Sequence, residues 1–234
     1  MATYVLVHGA WGGAHGWRKV RPLLHRAEHE VFTPSLTGIG ERAHLTGPHV
    51  TLSVHIDDVV NTILYEDLKD IVLLGFSYGG MVVTGALEHI ADRVAELVYL
   101  DAFVPTDGDS INSLRDSAPP RRSVEDDWLI PPIPRDLDDP AETAWSNARR
   151  SHQPGRTFDE PVRLLEPVES YPFGRTYIKA LDDPSDAPEQ SPFWPVAERV
   201  RDNPAWRYHE IDTNHMIPQN RPEELVAILT ELAP

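Results

Sequence analysis

One tight turn does most to limit the folds that this chain can adopt. Residues Gly75-Phe76-Ser77-Tyr78-Gly79 have the form G-x-S-x-G. The four apolar residues at 71–74 predict a strand before the turn, and the spacing of residues 78–90 predicts a helix after it. A serine held between a strand and a helix by two glycines is exposed at the carboxyl end of the strand. The motif therefore predicts a strand–turn–helix unit with Ser77 as a candidate nucleophile.

Strand-like and helical patterns alternate on both sides of this turn. Further apolar, strand-like runs occupy 4–7, 31–33, 97–100, 176–178 and 206–211. Helical spacing is found at 17–27, 53–64, 193–200 and 222–232. Such alternation implies a parallel sheet with helices on both faces. The predicted fold class is α/β, with a mostly parallel sheet flanked by helices.

The prolines divide the chain into regular and irregular parts. Of the 22 prolines, three lie in residues 1–104 and fourteen in residues 119–195. Proline removes a donor from a strand ladder and breaks a helix interior, so the middle stretch is neither central sheet nor one long helix. We expect a single domain over 1–234, with a core at 1–104 and 174–234 and a proline-rich lid at about 105–173.

The composition excludes several classes of protein. The chain has 234 residues, no cysteine and a formal net charge of −16. The absence of cysteine excludes a disulfide scaffold, a thiol nucleophile and a thiolate metal site, and makes the cytoplasm the expected location. The negative charge argues against binding to nucleic acid or to an anionic membrane surface. No targeting segment and no run long enough to span a membrane is apparent. No metal-ligand pattern is apparent either, and we expect neither a cofactor nor a metal.

A serine hydroxyl is a weak nucleophile and needs a base, for which His215 is the candidate. It lies in Asp212-Thr213-Asn214-His215-Met216, between the predicted strand 206–211 and the last helix. In a site built on a strand–serine–helix turn, the histidine follows the serine in the chain and comes after the last strand. Of the eleven histidines, only His215 has that position.

Two carboxylates compete to orient this histidine. Asp101 ends the predicted strand 97–100 and is followed by apolar residues, so its charge requires a partner. Asp183 follows the next strand, in a polar stretch that an ordinary solvated loop also explains. Both lie at carboxyl ends of strands, where open α/β sheets place their sites. The residues favour Asp101, with Asp183 as the alternative.

Stabilisation of an oxyanion requires backbone N–H groups near the serine. In this arrangement one comes from the residue after the nucleophile and one from the first strand–helix loop. These positions correspond to Tyr78 and Ala10. Trp11 and Phe76 adjoin them and are the candidates for lining a substrate pocket.

Three stretches resemble the α/β-hydrolase superfamily: residues 4–11, 75–81 and 98–105. Within it they are similar to small bacterial esterases, plant methyl salicylate esterases and plant hydroxynitrile lyases, and the resemblance covers nearly the whole chain. It implies Ser77 as nucleophile, His215 as base, and Ala10 and Tyr78 as oxyanion donors. In the plant esterases the acid maps to Asp183. Tyr99-Leu100-Asp101-Ala102 instead resembles a pattern of some haloalkane dehalogenases, so the resemblance leaves both acids open.

The resemblance also separates ester hydrolysis from cyanohydrin cleavage. The similar lyases have a lysine after the catalytic histidine and a threonine in the first loop, where this chain has Met216 and Gly9. The expected function is therefore a serine hydrolase that cleaves carboxylic esters of small, aromatic or apolar substrates through an acyl-enzyme. The alternative is a non-hydrolytic protein of the same fold, either a lyase, a cyclase or a ligand-binding receptor. The expected partner is a small-molecule ester, and a homodimer is left open.

Overall fold

A parallel sheet forms the centre of the molecule. The computed structural model describes residues 1–115, 128–182 and 191–233. Its strands are β1 (Thr3–Val7), β2 (Glu30–Phe32), β3 (Ile71–Phe76), β4 (Val94–Leu100), β5 (Leu129–Ile130), β6 (Gln153–Pro154), β7 (Gly174–Ala180) and β8 (Arg207–Ile211). Six of them pair in parallel in the order β2-β1-β3-β4-β7-β8, and β5 and β6 form a separate antiparallel pair. The predicted mostly parallel sheet is confirmed.

Helices connect these strands. The α-helices of the described residues are α1 (Val20–Arg26), α2 (Leu52–Tyr65), α3 (Gly79–Ile90), α4 (Ile111–Leu114), α5 (Pro140–Asn147), α6 (Arg156–Asp159), α7 (Trp194–Arg201), α8 (Ile217–Asn220) and α9 (Pro222–Glu231). Short 3-10 turns cover Ala14–Trp17, Gly40–Leu45, Ala91–Arg93 and Val168–Ser170. The helix expected at 17–27 is divided between the first of these turns and α1.

Alternate residues of the strands pack on opposite faces of the sheet, as the two-residue repeat of a strand requires. In β1, Val5 and Val7 join the core beneath α2 and α3, whereas Tyr4 and Leu6 join the core beneath α1 and α9. All six residues of β3 are buried, which is typical of a central strand covered on both faces. β3 therefore contributes no exposed side chain to either face of the sheet.

The segment between β4 and β7 is bonded to the loop that follows β1. The Ser151 amide donates to the Trp11 carbonyl at 2.9 Å, and the Trp11 amide donates to Gln153 Oε1 at 3.0 Å. The Gly40 amide donates to Ser151 Oγ at 2.7 Å. These bonds hold residues near 150 over the carboxyl edge of the sheet. In the part of the chain that the structure describes, no helix is long and apolar enough to cross a membrane.

Candidate active site

Ser77, Asp101 and His215 lie at the same edge of the sheet because each follows a parallel strand. Ser77 follows β3, Asp101 follows β4 and His215 lies in the loop after β8. His215 Nδ1 lies 2.6 Å from Asp101 Oδ2, although 114 positions separate the two residues. With Nδ1–H donated to the carboxylate, the neutral imidazole has a free acceptor at Nε2. The structure thus brings the predicted base and the favoured acid together.

Two aromatic rings pack on this imidazole. The ring centroids of Phe76 and His215 are 4.8 Å apart, and those of Phe193 and His215 are 5.0 Å apart with an interplanar angle of 7°. Because Phe76 directly precedes Ser77, the first contact brings the serine turn next to the imidazole. Phe193 was missed by the sequence analysis, and only the folded arrangement places it here.

Backbone geometry at Ser77 explains the glycines of its motif. A Cβ at Gly75 would lie 2.7 Å from the Gly79 carbonyl oxygen, and one at Gly79 would lie 2.7 Å from the Val7 carbonyl oxygen. A Cβ at Gly9 would lie 2.9 Å from Ser77 Cβ, so the loop after β1 packs directly on the serine. Ser77 itself has φ 56°, in the left-handed region that a non-glycine residue adopts at a strain cost.

Positive φ angles recur around this position. Among the described residues six non-glycine residues have positive φ, and three of them, Trp11, Ser77 and Asp101, are predicted site residues. Backbone strain of this kind persists where surrounding structure enforces it, and it concentrates at functional sites. The clustering is independent support for this edge of the sheet as the site.

Asp101 is fully buried and is bonded on both carboxylate oxygens. Its Oδ1 accepts from Lys179 Nζ at 2.7 Å, while Oδ2 faces His215. Lys179 is also buried, donates to the Ala180 carbonyl at 2.6 Å and lies 4.6 Å from the centroid of the Trp194 ring. Burial acts to raise the pKa of Asp101, but the hydrogen bonds and charges of His215 and Lys179 together outweigh it and lower that pKa below its usual value.

Lys179 was also missed by the sequence analysis. The available signal was a lysine that directly continues the apolar strand pattern at 176–178. Asp183, the alternative acid, lies outside the described residues. Its neighbour Asp182 is exposed, and the Asp182 amide donates to the Thr213 carbonyl at 2.9 Å.

The two predicted oxyanion donors lie beside the serine turn. Neither the Ala10 amide nor the Tyr78 amide donates to an acceptor among the described residues, whereas the Trp11 amide is occupied by Gln153. The Tyr78 side chain is anchored, because its hydroxyl lies 3.0 Å from His55 Nδ1. Both amides are therefore free to bind a developing negative charge.

The two predicted pocket residues differ in placement. Phe76 lines a cavity together with Gly9 and Ala10. Trp11 does not line that cavity: its ring packs edge-on against Phe158, and its Nε1–H donates to the Ile130 carbonyl at 3.2 Å.

Two buried histidines support the loops around the site. His8 Nε2 accepts from the Leu36 amide at 3.1 Å, and its Nδ1 lies 2.9 Å from the Gly9 carbonyl oxygen. His55 Nε2 lies 2.8 Å from the Thr37 carbonyl oxygen. Burial lowers the pKa of each imidazole to about 4, so both rings are neutral in the native state at pH 7.

These histidines should make the fold sensitive to mild acid. In the unfolded chain a histidine has a pKa near 6.5, so between about pH 6.5 and pH 4 the unfolded state binds protons that the native state excludes. The free energy of unfolding should therefore fall as pH decreases through this window, by on the order of 3 kcal/mol for each histidine. Urea unfolding from pH 7 to pH 4 measures this loss.

His55→Gln should make the free energy of unfolding less dependent on pH between pH 7 and pH 4. His44→Gln, at an exposed position, is the matched control. If His55→Gln leaves the slope of the unfolding free energy against pH unchanged, the assignment of a neutral buried imidazole is contradicted.

Comparisons with known proteins bear on the family of the chain. Residues 4–228 match the model of the alpha/beta hydrolase family. The chain is 39% identical to the carbendazim hydrolyzing esterase of Nocardioides sp. (strain SG-4G), over 99% of this chain and 100% of that one. It is 34% identical to the alpha-hydroxynitrile lyase of Arabidopsis thaliana, over 44% of this chain and 40% of that one.

A solved structure shows the same fold. An extracellular alpha/beta-hydrolase from a Paenibacillus species superimposes with a TM-score of 0.80 at 23% identity, covering 100% of this chain and 99% of that one. The family match and the full-length bacterial relative lead to one conclusion: the chain belongs to the alpha/beta hydrolase family.

Proposed function

We propose that this protein is a serine esterase that hydrolyses carboxylic esters of small, aromatic or apolar substrates through an acyl-enzyme. The observation that carries the proposal is the hydrogen bond between His215 and Asp101. It lies at the same edge of the sheet as Ser77, which has a strained backbone with positive φ. The bacterial relative named as an esterase, which aligns over the full chain, supports the same reaction type.

Acylation begins with attack by Ser77 Oγ on the ester carbonyl carbon, as the hydroxyl proton passes to His215 Nε2. The carbonyl oxygen becomes an oxyanion and accepts hydrogen bonds from the Ala10 and Tyr78 amides. Each such donor lowers the barrier by about 3–4 kcal/mol in enzymes where it has been removed. Because the donors are backbone groups beside tightly packed glycines, they need little reorganisation during the reaction.

Asp101 keeps the imidazole in the required tautomer and stabilises the imidazolium that forms. Since Lys179 and His215 hold its pKa low, the carboxylate stays ionised throughout. His215 then gives its proton to the leaving alkoxide, and the C–O bond of the ester breaks. A water molecule, deprotonated by His215, attacks the acyl carbon and releases the acid and Ser77.

The substrate side of the site combines apolar and polar groups. Phe76 forms one wall, and the proline-rich segment near 105–173 serves as a lid over the carboxyl edge. The bonds of Ser151 and Gln153 to Trp11 support this arrangement, because they tie the segment to the loop that carries Ala10.

Labelling with a fluorophosphonate tests the proposed nucleophile in the wild-type chain. We expect one covalent adduct, located by mass spectrometry to the peptide that contains Ser77, together with hydrolysis of phenyl and methyl esters. His215→Gln should suppress labelling, because the hydroxyl loses its base. Absence of an adduct at Ser77, with the same probe labelling a known serine esterase in parallel, contradicts the proposal.

A further inference from the structure

A cavity adjoins the position where the ester carbonyl is proposed to bind. Gly9 and Ala10 of the first loop line it, as do Phe76, which precedes Ser77, and Met216, which follows His215. Its remaining wall includes Arg150, just after α5, and Gln219 of α8. A group bound in this cavity therefore lies next to Ala10, one of the two proposed oxyanion donors.

Unpaired polar atoms converge on this cavity. Among the described residues, five buried side-chain polar atoms have no hydrogen-bond partner, and three of them are Trp17 Nε1, Arg150 Nε and Gln219 Oε1. All three residues line the cavity. A buried polar atom without a partner costs about 1–3 kcal/mol, so three such atoms around one cavity favour a polar partner bound there.

Arg150 is the exceptional member of this group because it is charged. No carboxylate of the described residues forms an ion pair with it, whereas the nearby Arg18 pairs with Glu142. Its guanidinium lies 5.7 Å from the centroid of the Trp11 ring. Burial and the charge of Arg135 lower the pKa of Arg150 to about 10, so it remains a cation at neutral pH. Arg150 is half-buried. A cation that is partly removed from water and has no anion beside it is unfavourable, and an anionic ligand would relieve this.

We propose that Arg150 and Trp17 form a subsite for a carboxylate, so that the preferred substrates are esters bearing a second, anionic carboxylate. The proposal rests on the proposed esterase function and adds the substrate class. The guanidinium and the indole N–H donate to the carboxylate oxygens. Gln219 Oε1 accepts from a hydroxyl or N–H group beside that carboxylate. A guanidinium suits this role because its planar donors match the two oxygens of a carboxylate.

Paired esters test the subsite. We compare kcat/KM for monomethyl and dimethyl succinate, glutarate and adipate, which differ in the free carboxylate and in its distance from the ester. In Arg150→Met the ratio of half-ester to diester should fall roughly tenfold to a hundredfold for the best chain length, chiefly through KM. Arg150→Lys should retain part of the preference. Arg26→Met, at an exposed position, changes the net charge equally and should leave the ratio as it is.

The outcomes separate this inference from the proposed function. If all esters are hydrolysed and Arg150→Met behaves as Arg26→Met, the subsite is wrong and the esterase stands. If the wild type hydrolyses no ester, calorimetric titration of monomethyl adipate into Ser77→Ala still tests the subsite. We expect binding that Arg150→Met in the same background weakens at least about tenfold. Equal binding, or none at millimolar ligand, overturns the subsite independently of catalysis.

Discussion

Replacing Ser77 by alanine should lower kcat for ester hydrolysis by at least about a thousandfold, and by up to about a millionfold if the remaining groups contribute little. The substitution removes the only atom that forms the acyl-enzyme, while the oxyanion donors and the cavity stay in place. Initial rates with phenyl acetate and with a methyl ester measure the loss. Ser53→Ala is the matched control. Ser53 lies at the start of α2, and its hydroxyl donates to Glu160 and to none of the candidate catalytic residues.

The stability of the Ser77 variants adds a second, independent readout. Alanine keeps a Cβ at φ 56°, so Ser77→Ala retains the backbone strain. Ser77→Gly removes it and should raise the thermal midpoint while remaining inactive, because glycine adopts positive φ without penalty. Near-normal turnover by either variant would contradict the assignment of Ser77 as the nucleophile.

Asp101→Asn should lower kcat by roughly a thousandfold to ten-thousandfold. The amide carries no charge to stabilise the imidazolium, and it no longer imposes the tautomer in which Nε2 accepts a proton. Asp183→Asn, at the other candidate acid, should leave kcat nearly unchanged. Turnover at saturating substrate, with circular dichroism to verify the fold, decides between the two. If only Asp183→Asn collapses kcat, the assignment of Asp101 is wrong.

The pair with Lys179 requires a further control. Asp101→Asn leaves a buried ammonium without its carboxylate, and breaking such a pair costs about 3–5 kcal/mol of stability. The double variant Asp101→Asn with Lys179→Met removes both charges and should recover much of the stability lost by the single variant. Its kcat should stay low, because the carboxylate is still absent. Recovery of activity together with stability would mean that Asp101 only supports the fold.

The sequence predicted a candidate nucleophile and a candidate base because their signals are local. The Ser77 motif needs only a strand, two glycines and a helix in succession, and the packing of Gly75 and Gly79 gives the physical reason. His215 was identified by its place after the last strand. Asp101 was preferred over Asp183 because a carboxylate among apolar residues must have a partner, and the structure supplies two. The lid boundaries and the oligomeric state stay predictions.

By itself, then, the sequence determined the α/β architecture and the strand ends that carry the candidate groups, because apolar periodicity and turn chemistry act over a few residues. Only the tertiary structure decided which groups meet there: the bond between Asp101 and His215, Lys179 beneath the carboxylate, Phe193 on the imidazole, and Arg150 beside the cavity. These contacts join distant parts of the chain, and their distances depend on sheet order and on how the middle segment folds back. No local pattern specifies either.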